Sequence, residues 1–130
     1  MVTMWTGRMG EGGVSAVDTT MKSASTPIGK LLAPTKALVY GHKAWRGDTR
    51  FRRYAPVDDA TYRRRYLERL RAHFKAQPDL FRELLERETV TLTCYCGKDN
   101  PYCHRFILVS YVLPRCAAYF DIPYHYAGER

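Results

Sequence analysis

Thr89-Val-Thr-Leu-Thr-Cys-Tyr95 is a run of β-branched and apolar residues, and a short turn-rich loop separates it from an apolar stretch that opens at Cys103. This succession constrains the chain most. Alternation puts Val90, Leu92 and Cys94 on one face of a strand. Phe106, Ile107, Val109, Ser110 and Leu113 recur at helical spacing, so a helix follows over Cys103–Leu113. Pro114 interrupts it, a second short helix covers Arg115–Phe120, and Ile122–Tyr126 reads as a last strand. A helix that must return to pack on its strand leads to a parallel neighbour, which points to an α/β layer fold with a short, mostly parallel sheet of three to five strands.

The front of the chain supplies further elements. Val2 to Thr6 is β-prone, and Gly7, Gly10, Gly12 and Gly13 mark a loop before a possible short strand at Val14–Asp18. Met21–Pro34, rich in Ser, Thr, Pro and Gly, is expected to be an irregular and mobile connection. Thr35 caps a helix to about Trp45, weakened by Gly41. Asp58 or Asp59 caps a longer helix whose inner face carries Tyr62, Tyr66, Leu67, Leu70 and Phe74. Pro78 stops that helix, and Asp79 caps another with Leu80, Phe81, Leu84 and Leu85 inward. One domain over residues 1–130 is the expectation.

Charge and cysteine usage narrow the function. The net charge is +8, and between Arg46 and Arg87 stand 12 Lys/Arg against 7 Asp/Glu, whereas Glu88–Arg130 is balanced at 4 and 4. Arg52, Arg53, Arg63, Arg64, Arg65 and Arg69, with Tyr54 and Tyr62 between them, suit phosphate contact and base stacking, or an acidic protein surface. A solvated helix face carries the same pattern. No apolar run reaches the length of a membrane span and no export signal opens the chain, which predicts a cytoplasmic protein with Cys94, Cys96, Cys103 and Cys116 reduced.

Ligands of parallel sheets sit beyond the carboxyl ends of the strands. There the segment gathers Tyr95, Cys96, Tyr102, Cys103, His104 and Arg105 around one helix start, where free N–H groups favour an anion and lower a thiol pKa. In a catalytic reading Cys103 or Cys96 is the thiolate, His104 the base and Arg105 the anion holder. In a packing reading the cysteines only fill the core. Zinc on Cys94, Cys96, Cys103 and His104 has suitable ligand types, but adjacent Cys103 and His104 diverge on a helix and paired C-x-x-C knuckles are absent, so no cofactor is expected.

Val90-Thr-Leu-Thr-Cys-Tyr-Cys96, then Cys103-His104-Arg105 with an apolar helix behind it, resembles domain-of-unknown-function family 488, the YeaO-like proteins. Tyr62-Arg-Arg-Arg-Tyr66-Leu67 looks like that family's preceding helix. Similarity extends more loosely to Thr6-Gly-Arg8-Met-Gly10, Val17-Asp18-Thr19, Ala33-Pro34-Thr35 and Tyr124–Glu129. The resemblance implies a small Rossmann-like domain, a Cys103-His104-Arg105 active or ligand site with Arg8 and Asp18 as further partners, and a nucleic-acid-linked role. Met21–Lys30 departs from the family as an insertion.

Two functions follow as expectations. One is a nucleic-acid- or nucleotide-directed enzyme, or a degenerate one, built on Cys103, His104 and Arg105. The other is a non-enzymatic basic protein, such as a phage-type regulator docking through its arginines on host RNA polymerase or similar machinery.

Overall fold

A computed structural model describes residues 1–96 and 103–130. Four strands form one sheet: β1 (Val2–Arg8), β2 (Ala16–Asp18), β3 (Thr89–Cys94) and β4 (Tyr124–Glu129). Their spatial order is β2-β3-β1-β4 and every pairing is parallel. β3 lies between β2 and β1, so both of its edges are paired. Val90, Leu92 and Cys94 are buried as alternation requires, and Thr91 and Thr93 on the other face are buried too.

Among the described residues six α-helices accompany the sheet: α1 (Pro27–Leu32), α2 (Lys36–Trp45), α3 (Asp59–Ala76), α4 (Pro78–Leu85), α5 (His104–Ile107) and α6 (Leu113–Tyr119). The core joins Val2, Met4, Val90 and Leu92 of the sheet to Tyr66 and Leu70 of α3, Phe81 and Leu84 of α4, and Leu108 and Leu113. Thr35 caps α2 by accepting from Leu38 N, and Asp58 caps α3 by accepting from Thr61 N.

The structure corrects four expectations of local structure. The stretch 21–34 is not wholly irregular, because α1 lies inside it. Thr26 accepts from Gly29 N at 3.1 Å and Pro27 occupies the first turn, where its missing N–H costs nothing. Gly29 lets α1 approach β2, since a Cβ there would stand 2.4 Å from Asp18 O. α2 likewise runs unbroken through Gly41, which lets it lie against the 55–57 backbone, since a Cβ there would stand 2.6 Å from Ala55 O. Finally, the helical rod from His104 continues to Tyr119 through a π-helical turn at Leu108–Val112. Pro114 has no N–H to donate, and the widened turn before it accommodates its ring. Pro78 both ends α3 and starts α4, so Asp79 sits in the first turn of α4 and not at its cap.

No described helix is long and apolar enough to cross a membrane.

Candidate active site

The carboxyl ends of β2 and β3 bring three sulfurs to one place. β3 ends at Cys94, Cys96 follows it, and Cys103 immediately precedes α5. Their Sγ atoms all lie within 4.8 Å of one another. Cys94 Sγ is 3.0 Å from Cys103 Sγ, accepts from Cys96 N at 3.3 Å and accepts from Arg105 Nη1 at 2.8 Å. None of the four cysteines is joined in a disulfide.

Arg105 belongs wholly to the protein interior. Its side chain is 0% exposed, Nε and Nη2 donate to the two carboxylate oxygens of Glu129 at 3.2 and 2.7 Å, and Nη1 serves Cys94. A buried guanidinium needs such a fork-on-fork partner. Nε, Nη1 and Nη2 thus each reach an internal acceptor, with Glu129 the counter-ion and the Cys94 sulfur a further acceptor.

His104 is turned by Thr19. The Thr19 hydroxyl donates to Thr93 O at 3.0 Å, so its lone pair receives the His104 Nε2–H at 2.8 Å. The free lone pair of His104 is then on Nδ1, which faces Cys103 Sγ at 3.8 Å. Burial pushes the imidazole down to about 4, so it is neutral at physiological pH.

The thiol pair is asymmetric. The hydrogen bond shared with Cys94, then Cys96 and burial, pushes the Cys103 pKa far above the cysteine range. For Cys94 the bond from Cys103 favours the thiolate; Cys96 and burial outweigh it and leave the thiol above its ordinary value. Arg105 Nη1, 2.8 Å from Cys94, favours negative charge on that sulfur of the pair.

A cleft of about 450 Å³ opens over this cluster. Cys94, Cys96, Cys103, His104 and Tyr95 line its inner part, and Tyr62, His42, Tyr40, Lys22, Lys43 and Arg46 line the rest. The described lining holds cations and aromatic rings but no carboxylate. Tyr40 is held by stacking on Phe51 with centroids 4.5 Å apart, and the amines of Lys22, Lys36 and Lys43 stand about 6 Å from its ring centre. His42 contacts Asp59 Oδ1 at 2.6 Å and lies on the Tyr62 ring.

The other residues singled out by the sequence fall elsewhere. Arg8 is exposed at the end of β1 and does not line the cleft. Asp18 ends β2 and accepts from Thr20 N, Thr20 Oγ1 and Ser23 Oγ, so it orders the turn after β2. Burial raises its pKa, but the bonds from Ser23 and Thr20 prevail and leave it low. Tyr95 is 58% exposed, with its hydroxyl 3.1 Å from Ser23 Oγ. Tyr102 lies outside the described residues. Arg52, Arg53, Arg63, Arg64 and Arg65 are exposed and away from the cleft. Arg69 turns inward and donates to Ala33 O at 3.1 Å, so it braces the α1–α2 junction.

Sequence reasoning missed Glu129, Thr19 and the cations of α2, and gave Cys94 only a metal role. One signal for Glu129 was available: a buried arginine demands a carboxylate, and the balanced C-terminal third offers few. The three sulfurs could hold a metal ion. The argument from divergent neighbours does not apply, because Cys103 precedes α5 with extended backbone (φ −63°, ψ 137°) and His104 Nδ1 turns towards its sulfur. A tetrahedral zinc with Zn–S near 2.3 Å would, however, require Cys94 and Cys103 to spread, as ligands then stand about 3.7 Å apart.

A family model described as "Active DUF488-N3 subclade" matches residues 13–115. No curated protein and no solved structure is significantly similar to the chain.

Proposed function

The chain belongs to the DUF488 family, and we propose that it is a cysteine-based enzyme directed at a nucleotide or nucleic acid. The observation that carries this reading is the Cys94 sulfur, 2.8 Å from a buried guanidinium and 3.0 Å from a second thiol, at the inner end of an open cleft. Cys94 is the nucleophile. Cys94 and Cys103 share a hydrogen bond in the resting state, and His104 Nδ1 orients the Cys103 thiol. Arg105 is a positioning residue that steadies the sulfur's charge, and Glu129 holds Arg105. The matching model's description as an active subclade supports a working site over a degenerate one.

The substrate class rests on the cleft. Its volume is that of a small-molecule pocket, and the cationic side chains of Lys22, Lys43 and Arg46 suit phosphate oxygens. Tyr40 offers an aromatic surface beside them. Binding of AMP, inorganic phosphate and a short single-stranded oligonucleotide, followed by calorimetry, tests the reading. Nucleotide or oligonucleotide is expected to bind, to lose at least tenfold in affinity in the Lys43→Glu/Arg46→Glu protein, and to keep it in Cys94→Ser and in Arg63→Glu/Arg64→Glu/Arg65→Glu. Absence of binding, or loss only when the α3 arginines are reversed, would reject the enzyme in favour of a docking protein that uses the outer face of α3.

A further inference from the structure

We propose that Cys94 and Cys103 form a peroxide-responsive dithiol that closes to a reversible disulfide. The two sulfurs face each other at 3.0 Å on separate elements, the end of β3 and the start of α5, and closing them to a bond near 2.05 Å takes a movement of about 1 Å. Both residues are nearly inaccessible, at 1% and 4% exposure. Bulky disulfides cannot reach them, whereas hydrogen peroxide, scarcely larger than water, enters through the cleft that both residues line.

The chemistry balances with hydrogen peroxide as the only co-reactant. Cys94 Sγ attacks one peroxide oxygen and the O–O bond breaks. The departing oxygen leaves as water with the thiol proton, and Cys94 becomes a sulfenic acid. Cys103 Sγ then attacks the Cys94 sulfur and the S–O bond breaks. The Cys103 proton joins the departing hydroxide, which leaves as the second water. Two thiols lose two electrons and one peroxide gains them. Arg105 Nη1 on Cys94 favours the first step by steadying negative charge on that sulfur. Cys96, within 4.8 Å of both, is less buried than either, and Cys116 on α6 stands outside the cluster. The new bond consumes the ionisable Cys94 thiol, so peroxide would silence the site proposed above, while the bond itself forms whether or not that site turns over a substrate.

The test reads covalent state and needs no activity. Chelator-treated native protein is exposed to a small excess of hydrogen peroxide, the remaining thiols are alkylated after denaturation, and peptides are mapped by mass. The four thiols are expected to fall to two, Cys96 and Cys116, with a Cys94–Cys103 cross-linked peptide that dithiothreitol reverses. In Cys103→Ser, Cys94 is expected to stop at a sulfenic acid that dimedone traps. Four alkylated cysteines, a cross-link through Cys96, or sulfinic acid at Cys94 with no cross-link would each overturn the proposal, and the wild-type protein alone decides it if the variant does not fold.

Discussion

Arginine occurs in two opposite circumstances in this molecule. On the outer face of α3, Arg63, Arg64 and Arg65 reach into solvent; Arg64 is 60% exposed and meets Glu68 only at 3.5 Å. Beside the cleft, Arg105 is fully enclosed, with Glu129 on one side and a sulfur on the other. The first group gives the chain its conspicuous charge density, while the second arranges its chemistry. A solvated cation is screened and readily replaced, whereas an enclosed one fixes the groups around it. The comparison teaches that enclosure, rather than abundance, marks the arginine that matters to the site.

Substitution should separate the two regions most sharply at Arg105. Arg105→Met leaves the Glu129 carboxylate and the Cys94 sulfur without their cation, and a loss of about 3–5 kcal/mol is expected in urea denaturation. A loss under about 1 kcal/mol would place Arg105 with the surface arginines.

Acid probes the same enclosed region. His104 is held neutral with a pKa of about 4, below the value near 6.5 of an unfolded chain. The unfolded state therefore binds the proton first as pH falls. Stability is complete above about 6.5 and decreases towards 4, by about 3 kcal/mol in all. Denaturation midpoints at several pH values should show this slope, and His104→Gln should flatten it; an unchanged slope would show that another group titrates.

Tyr66, on the inner face of α3, provides an intermediate case. Its hydroxyl donates to Leu32 O in a buried contact. Tyr66→Phe is expected to cost about 1–2 kcal/mol in the same assay, because the carbonyl loses its donor. The smallest effect belongs to the outer face: Arg64→Ala should change stability by no more than about 0.5 kcal/mol. A larger loss there would erase the distinction between the regions.

Much of the framework was legible in the sequence because local rules and tertiary packing agree there. β-branched Thr89–Cys94 is the central strand, Asp58 caps the helix that buries Tyr62, Tyr66 and Leu70, and the all-parallel sheet lies within the expected range. α1 was hidden because the Ser, Thr, Pro and Gly content of its surroundings outweighed the Thr26-Pro27 start signal. The π-helical turn before Pro114 left no pattern to read, since a proline predicts only an interruption.

The sulfurs, His104 and Arg105 could be grouped from their proximity in sequence, but their roles could not. Glu129 reaches Arg105 from the end of β4, 24 positions away, and Thr19 reaches His104 from just beyond β2, 85 positions away. Only the fold makes these pairs. The cleft cations were overlooked for a related reason. Lys43 and Arg46 belong to a short helix of modest charge, and counting drew attention to the denser α3.

The order in which the thiols ionise tests the account most directly. Protein labelled with carbon-13 at the cysteine Cβ, with resonances assigned by single Cys→Ser replacements, can be followed by NMR from neutral to alkaline pH. The Cys94 resonance is predicted to titrate before that of Cys103, and to move to higher pH in an Arg105→Lys protein whose donor no longer reaches the sulfur squarely. If Cys103 ionises first, or if Cys94 is indifferent to the change at Arg105, then the guanidinium does not govern the sulfur and the site is wrongly assigned.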